Sequence, residues 1–180
     1  ECINPQTDTT QSKRGAGRQG PIGVFYSGVC GLSIALALLQ KLPHERFIYV
    51  ADCVHCPYGE RPAQEIRRLS EGICRYLIER HAKLIVVACN TASAAALSYL
   101  RATFPQLSFV GMVPAVKPAA QRTETDVVGV LATQSTFKGQ LYKDVVRRYA
   151  QETRVIAQVC DGLVECVEQG ALDEPRTKTL

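Results

Sequence analysis

The sequence predicts an α/β fold with parallel sheets flanked by helices, on three observations. Short apolar runs rich in valine and isoleucine recur near residues 22–26, 47–51, 84–88, 108–113, 127–132 and 154–159. Helical patterns fill the intervals, and such alternation packs as strand, helix and parallel strand. Three of the runs end on small polar groups: Tyr26-Ser27-Gly28, Cys89-Asn90-Thr91, and Thr133 with Thr136. In an open α/β sheet the carboxyl ends of the strands are where ligands bind.

Taken in order, residues 1–20 are polar, rich in Thr, Gln and Gly, and without periodicity, so they read as a disordered tail. Residues 15–20 spell G-x-G-x-x-G, but they follow a polar run and precede a strand, the reverse of what a dinucleotide site requires. Strands follow at 22–26 and 47–51. Residues 62–82 place Ile66, Leu69, Ile73, Tyr76 and Leu77 at helical spacing, with Arg67, Arg68, Glu71 and Glu79 largely off that stripe. This is a surface helix with one face on the sheet. The run 84–88 has the continuous apolar character of a strand covered on both faces, and an Ala-rich helix starts after it, near Asn90 or Thr91. Beyond the strand at 108–113, Pro114 and Pro118 mark a crossing between two lobes. The expected division is a tail at 1–20, a first α/β lobe at 21–113 and a second at 114–180.

With 180 residues and 46% hydrophobic content, the chain can bury a sizeable core. Its net charge of +4 comes from Lys and Arg spread over many segments with acids nearby, a pattern of solvated helix faces rather than a nucleic-acid footprint. No run reaches the roughly 18 apolar residues of a membrane span, and the first 20 residues lack the apolar core of a secretory signal. A cytoplasmic location is the expectation. Of the eight cysteines, at 2, 30, 53, 56, 74, 89, 160 and 166, several sit in apolar helix or strand patterns rather than in loops at framework spacings, which fits reduced thiols. The sequence opens on Glu1 rather than Met and stops directly after a helical segment, so it is expected to be part of a longer protein.

Chemistry is expected at Cys89. A thiol at a strand end beside a helix N-terminus gains thiolate character, and partial exposure would make it reactive; a buried, inert cysteine is the other reading of the same residues. The hydroxyls and amides at the neighbouring strand ends would hold a small zwitterion or anion without metal or phosphate, although helix capping by Ser and Thr explains part of the pattern. Cys53 and Cys56 form a C-x-x-C with no second paired cluster, Cys74 and His81 sitting on the 62–82 helix at unsuitable spacing, so no metal is expected. Lys117, between two prolines, lacks the phosphate-cradling loop that pyridoxal phosphate would need. No cofactor is expected.

Five ordered motifs resemble the glutamate racemases of the cofactor-independent aspartate/glutamate racemase superfamily. They are Ile22-Gly23-Val24-Phe25-Tyr26-Ser27-Gly28-Val29-Cys30-Gly31-Leu32-Ser33, Cys56-Pro57-Tyr58-Gly59, Ala88-Cys89-Asn90-Thr91-Ala92-Ser93-Ala94, Val113-Pro114-Ala115-Val116-Lys117-Pro118, and Gly129 to Thr133 with Thr136. The resemblance runs from about residue 21 to 180. It implies two lobes with the site between them, and interconversion of L- and D-glutamate for peptidoglycan by two cysteines on opposite faces of the substrate. Cys89 is then the first catalytic cysteine. Ser27, Tyr58, Gly59, Asn90, Thr91, Thr133 and Thr136 bind substrate, and a homodimer is compatible with the resemblance.

Two departures stand out. Tyr26 occupies the place of the family's aspartate, the group expected to assist the first cysteine. The family's second cysteine lies in a Cys-Thr-His motif that does not occur in the sequence; Cys160 and Cys166 fall on a strand and helix that the resemblance makes peripheral. The second lobe is therefore expected to be incomplete, and the chain to be inactive by itself. A noncatalytic racemase-like protein that binds an acidic amino acid or a protein partner is the alternative, and a related racemase or decarboxylase acting on another acid is a third.

Overall fold

The computed structural model describes residues 19–179. The tail expected at 1–20 and its glycine-rich run lie outside the described residues up to position 18. Six strands alternate with helices as the apolar runs require: β1 (Ile22–Tyr26), α1 (Leu32–Lys41), β2 (Phe47–Ala51), α2 (Ala63–Glu79), β3 (Leu84–Val87), α3 (Asn90–Thr103) and β4 (Ser108–Gly111). After these come α4 (Val116–Ala120), β5 (Val127–Ala132), α5 (Gln134–Lys138), α6 (Gln140–Tyr149), β6 (Arg154–Val159), α7 (Leu163–Glu168) and α8 (Pro175–Lys178).

Strands β1 to β4 form one parallel sheet in the order β2-β1-β3-β4, and β5 pairs with β6 in a second parallel sheet. Register sets the site: Val24 stands opposite Val86 and Phe25 opposite Val87, so Tyr26-Ser27 and Cys89 leave neighbouring strands at one edge. Alternate side chains of β1 feed two cores. Phe25 joins Ile66, Leu77, Ile85, Val87 and Leu100 beneath α2 and α3, whereas Ile22 and Val24 join Val86, Ile34 and Leu38 on the other face. A sheet covered on both faces explains why β1 and β3 read as continuous apolar runs. In the second sheet, Val128 and Val130 pack with Val116, Tyr142 and Ala150, while Val127, Leu131 and Ile156 remain exposed.

Three local expectations change. Strands β3 and β4 stop at Val87 and Gly111, short of residues 88 and 113; β4 ends where the Met112 amide turns to donate to Ser93 Oγ at 2.9 Å and Pro114 has no amide to give. On α2 the fully buried positions are Ile66, Ser70, Cys74 and Leu77; Tyr76 is exposed, with the Arg80 guanidinium 3.4 Å from its ring centroid. Counting only large apolar residues rotated the predicted stripe, since Ser70 and Cys74 are small enough to sit where α2 meets the core. His81 lies beyond the helix end, in the left-handed region at φ 60°.

Candidate functional site

The ends of β1, β3, β5 and β6, the β2–α2 loop and the start of α7 surround a cavity of about 170 Å³. The residues that the resemblance assigned to the site line it: Tyr26 and Ser27 after β1, Tyr58 and Gly59 in the loop, Cys89, Asn90 and Thr91 after β3, and Thr133 and Thr136 after β5. Among the described residues no charged side chain lines it. A cleft of about 690 Å³ adjoins this cavity, sharing Gly59, Thr133, Cys160 and Val164 with it.

Cys89 is the N-cap of α3, in extended backbone, and its Sγ accepts from the Ala92 amide at 3.4 Å. Ser27 Oγ lies 3.7 Å from the same sulfur. The thiol is 2% exposed, which corrects the expectation of partial exposure. Its pKa is also raised rather than lowered: burial dominates, and the Ala92 amide and Ser27 hydroxyl offset it only in part. The helix N-terminus acts in the direction the sequence suggested, but desolvation from several elements outweighs it. Tyr26 stays a neutral phenol, since burial foremost, then Cys89, Cys30 and Glu168, push its pKa upward.

The hydroxyls form a closed group. Thr91 Oγ1 is 2.9 Å from Thr133 Oγ1 and 3.5 Å from Thr136 Oγ1, and the last two are 3.0 Å apart. Thr133 caps α5, accepting from the Thr136 amide at 3.3 Å, so one side chain both caps a helix and lines the cavity. The β2–α2 loop is tied in as well: Ser135 Oγ donates to the Gly59 carbonyl at 2.7 Å, and a Cβ at Gly59 would come within 2.9 Å of Thr133 Cγ2. Polar atoms of both sheets therefore meet around one small volume.

Sequence reasoning passed over three groups. Asp52, directly after β2, accepts the Tyr58 hydroxyl at 2.7 Å and contacts His55 Nδ1 at 2.7 Å. Its signal was its place at a strand end, the cue that found Ser27 and Thr133. Glu168 reaches the turn after β1 from α7, with no sequence cue at all. Cys160, set aside as peripheral, lines the cavity because β6 ends beside β5. Cys166 is buried on α7. Among the described residues no group of three or more His, Cys, Asp or Glu could hold a metal ion. The Lys117 ammonium stands 4.8 Å from the Tyr149 ring centroid and does not line the cavity.

Burial predicts the order of thiol labelling. Iodoacetamide at pH 7 is expected to modify exposed Cys53 well before Cys89, with Cys89 labelling accelerating as the pH rises, because alkylation needs the thiolate and the raised pKa keeps Cys89 protonated. Peptide mapping of a time course checks this, and Cys89 labelled ahead of Cys53 in the folded chain would count against the buried geometry.

Residues 33–180 match the model of the Asp/Glu/Hydantoin racemase family. The chain belongs to the Asp/Glu/Hydantoin racemase family. It is 53% identical over 160 residues to a glutamate racemase of Roseiflexus sp. (strain RS-1), covering 89% of this chain and 59% of that one. A glutamate racemase of Ectopseudomonas mendocina (strain ymp) is 52% identical, over 90% of this chain and 62% of its own length. Among solved structures, a Bacillus anthracis glutamate racemase superposes with a TM-score of 0.80 at 29% identity, covering 90% of this chain and 61% of that one. The Escherichia coli glutamate racemase in complex with L-glutamate and the activator UDP-MurNAc-ala gives 0.77 at 38% identity, over 86% and 59%. The α/β architecture of this family is thus the one predicted, and the chain spans about 60% of the length of the relatives it matches.

Proposed function

We propose that the protein is a glutamate racemase, interconverting L- and D-glutamate to supply peptidoglycan synthesis in the cytoplasm, with Cys89 as the thiol acting on one face of the substrate. The observation that carries this reading is the meeting of Cys89 with the hydroxyls of Thr91, Thr133 and Thr136 around one cavity. In its thiolate form, Cys89 Sγ takes the α-proton and becomes the thiol. The electron pair left on Cα spreads into the α-carboxylate, which the threonine hydroxyls would hold by donating to it. Ser27, Tyr58, Gly59 and Asn90 complete the enclosure. Redelivery from Cys89 retains configuration; inversion needs a second thiol on the opposite face, and the Cys-Thr-His motif that carries it in the family is absent from these 180 residues. The lobe division at residue 113 and a homodimer belong to the same proposal.

A second reading has an observation in its favour. With Tyr26 neutral and the Cys89 pKa raised, neither of these two groups is a ready base near neutral pH, which suits a noncatalytic binder of an acidic amino acid. Incubation of residues 1–180 with L-glutamate in deuterated water separates the two. Deuterium at Cα with retained L configuration is expected from one working thiol. Binding of glutamate with no exchange would favour the noncatalytic reading, and accumulation of D-glutamate from this chain alone would overturn the assignment of a single working face.

A further inference from the structure

We infer that Glu168 is a positioning residue whose carboxylate clasps the turn that carries Tyr26 and Ser27, and so fixes the surroundings of Cys89. Glu168 ends α7, beyond the second sheet, yet Oε2 accepts from the Val29 amide at 2.7 Å and Oε1 from the Cys30 amide at 3.3 Å. These amides stand at the entry to α1, whose first turn has no acidic residue and whose N-cap, Gly31, has no side chain to offer. Amides at a helix entry need acceptors, and a carboxylate there also meets the positive end of the helix dipole. The clasp dictates the residue at position 28: a Cβ on Gly28 would meet Glu168 Oε2 at 2.3 Å and both Cδ and Oε1 at 2.5 Å. From the other side, the Tyr49 hydroxyl donates to the Gly28 carbonyl at 3.0 Å.

The turn is thus held between β2 and α7, and what it presents is Ser27, with Oγ 3.7 Å from Cys89 Sγ. Leu163 and Val164 of α7 line the same cavity, so the contact that steadies the turn also keeps that wall in place. The charge has an effect of its own. Cys30 has its thiol pushed up to about 12, by burial first and then by the hydrogen bond and charge of Glu168. The significance of the clasp for chemistry rests on the reading of Cys89 as the reacting thiol, but its test requires no turnover, so the two ideas can fail separately.

The experiment compares residues 1–180 with Glu168→Ala, Glu168→Gln and Gly28→Ala, following amide hydrogen exchange at Val29 and Cys30 and iodoacetamide rates at Cys30, Cys74 and Cys89. In Glu168→Ala, exchange at both amides is expected to rise about tenfold as their acceptor is lost, and Cys89 to alkylate about fivefold faster as the wall loosens. Cys74, fully buried on α2 away from the clasp, should stay within about twofold, which excludes general unfolding. Gly28→Ala should copy these effects by displacing the carboxylate without removing it. Glu168→Gln keeps an acceptor oxygen and loses the charge: amide exchange should change less, while Cys30 alkylates about tenfold faster at pH 8 because the anion no longer opposes its thiolate. A merely structural contact would not move the pH profile of Cys30. Unchanged amide exchange in Glu168→Ala, or Cys74 accelerating together with Cys89, would overturn the inference.

Discussion

Replacing Cys89 with Ser is expected to abolish α-deuteration of L-glutamate by residues 1–180, a loss of about 10²- to 10⁴-fold, the usual contribution of a positioned acid or base. Serine is the informative replacement. Cys89 caps α3 through its sulfur, so Cys89→Ala would remove both the base and an N-cap and destabilise the helix by about 1 kcal/mol. Serine is a better cap than cysteine and retains the hydrogen bond to the Ala92 amide, but its hydroxyl is far too weak an acid to replace the thiol. Unchanged thermal stability with exchange lost assigns the effect to the sulfur. Cys53→Ser, at an exposed position outside the cavity, provides the comparison. Exchange persisting in Cys89→Ser would move the chemistry to another group.

Tyr26→Asp is expected to raise the exchange rate about tenfold or more, the low end of a general-base contribution. A carboxylate beside Cys89 can take the thiol proton that Tyr26, a neutral phenol, leaves in place. Burial would raise the pKa of the new carboxyl too, bringing it closer to that of the thiol and favouring transfer between them. The substitution has a structural cost. The Tyr26 side chain packs against both core clusters of the first sheet, and its Cβ and Cγ lie 2.4 and 2.7 Å from where a Cβ on Gly31 would stand. Losing the ring should cost on the order of 3 kcal/mol. Tyr26→Ala creates the same void without the carboxylate, so the ratio of the Asp to the Ala variant isolates the charge. A ratio below about twofold, with both variants folded, would mean that Tyr26 is not what limits proton transfer.

The succession of strands and helices, and the edge at which polar groups collect, were legible because they depend on short-range pattern. Ile22 to Tyr26 and Leu84 to Val87 are apolar runs of strand length, and each ends in residues that cannot continue a core. Parallel pairing then carries Ser27 and Cys89 to one edge, where they line one cavity with Tyr26, Asn90, Thr91, Thr133 and Thr136. The α2 stripe was misread where small side chains, Ser70 and Cys74, are fully buried, because hydrophobic periodicity weighs size and apolarity but not fit.

What the sequence determined by itself was the alternation of strands and helices, the edge at which polar groups collect, and Cys89 as the thiol among them. These follow from the two-residue and 3.6-residue periods of the backbone and from where apolar runs end. Only the tertiary structure decided the state of that thiol, the inclusion of Cys160 in the cavity, and the clasp of Glu168 on an amide 139 residues away. A pKa sums desolvation and charge over every neighbouring element, and a carboxylate finds its donor through the packing of two sheets. Neither quantity is carried by local pattern, so both become visible only once distant segments share a surface.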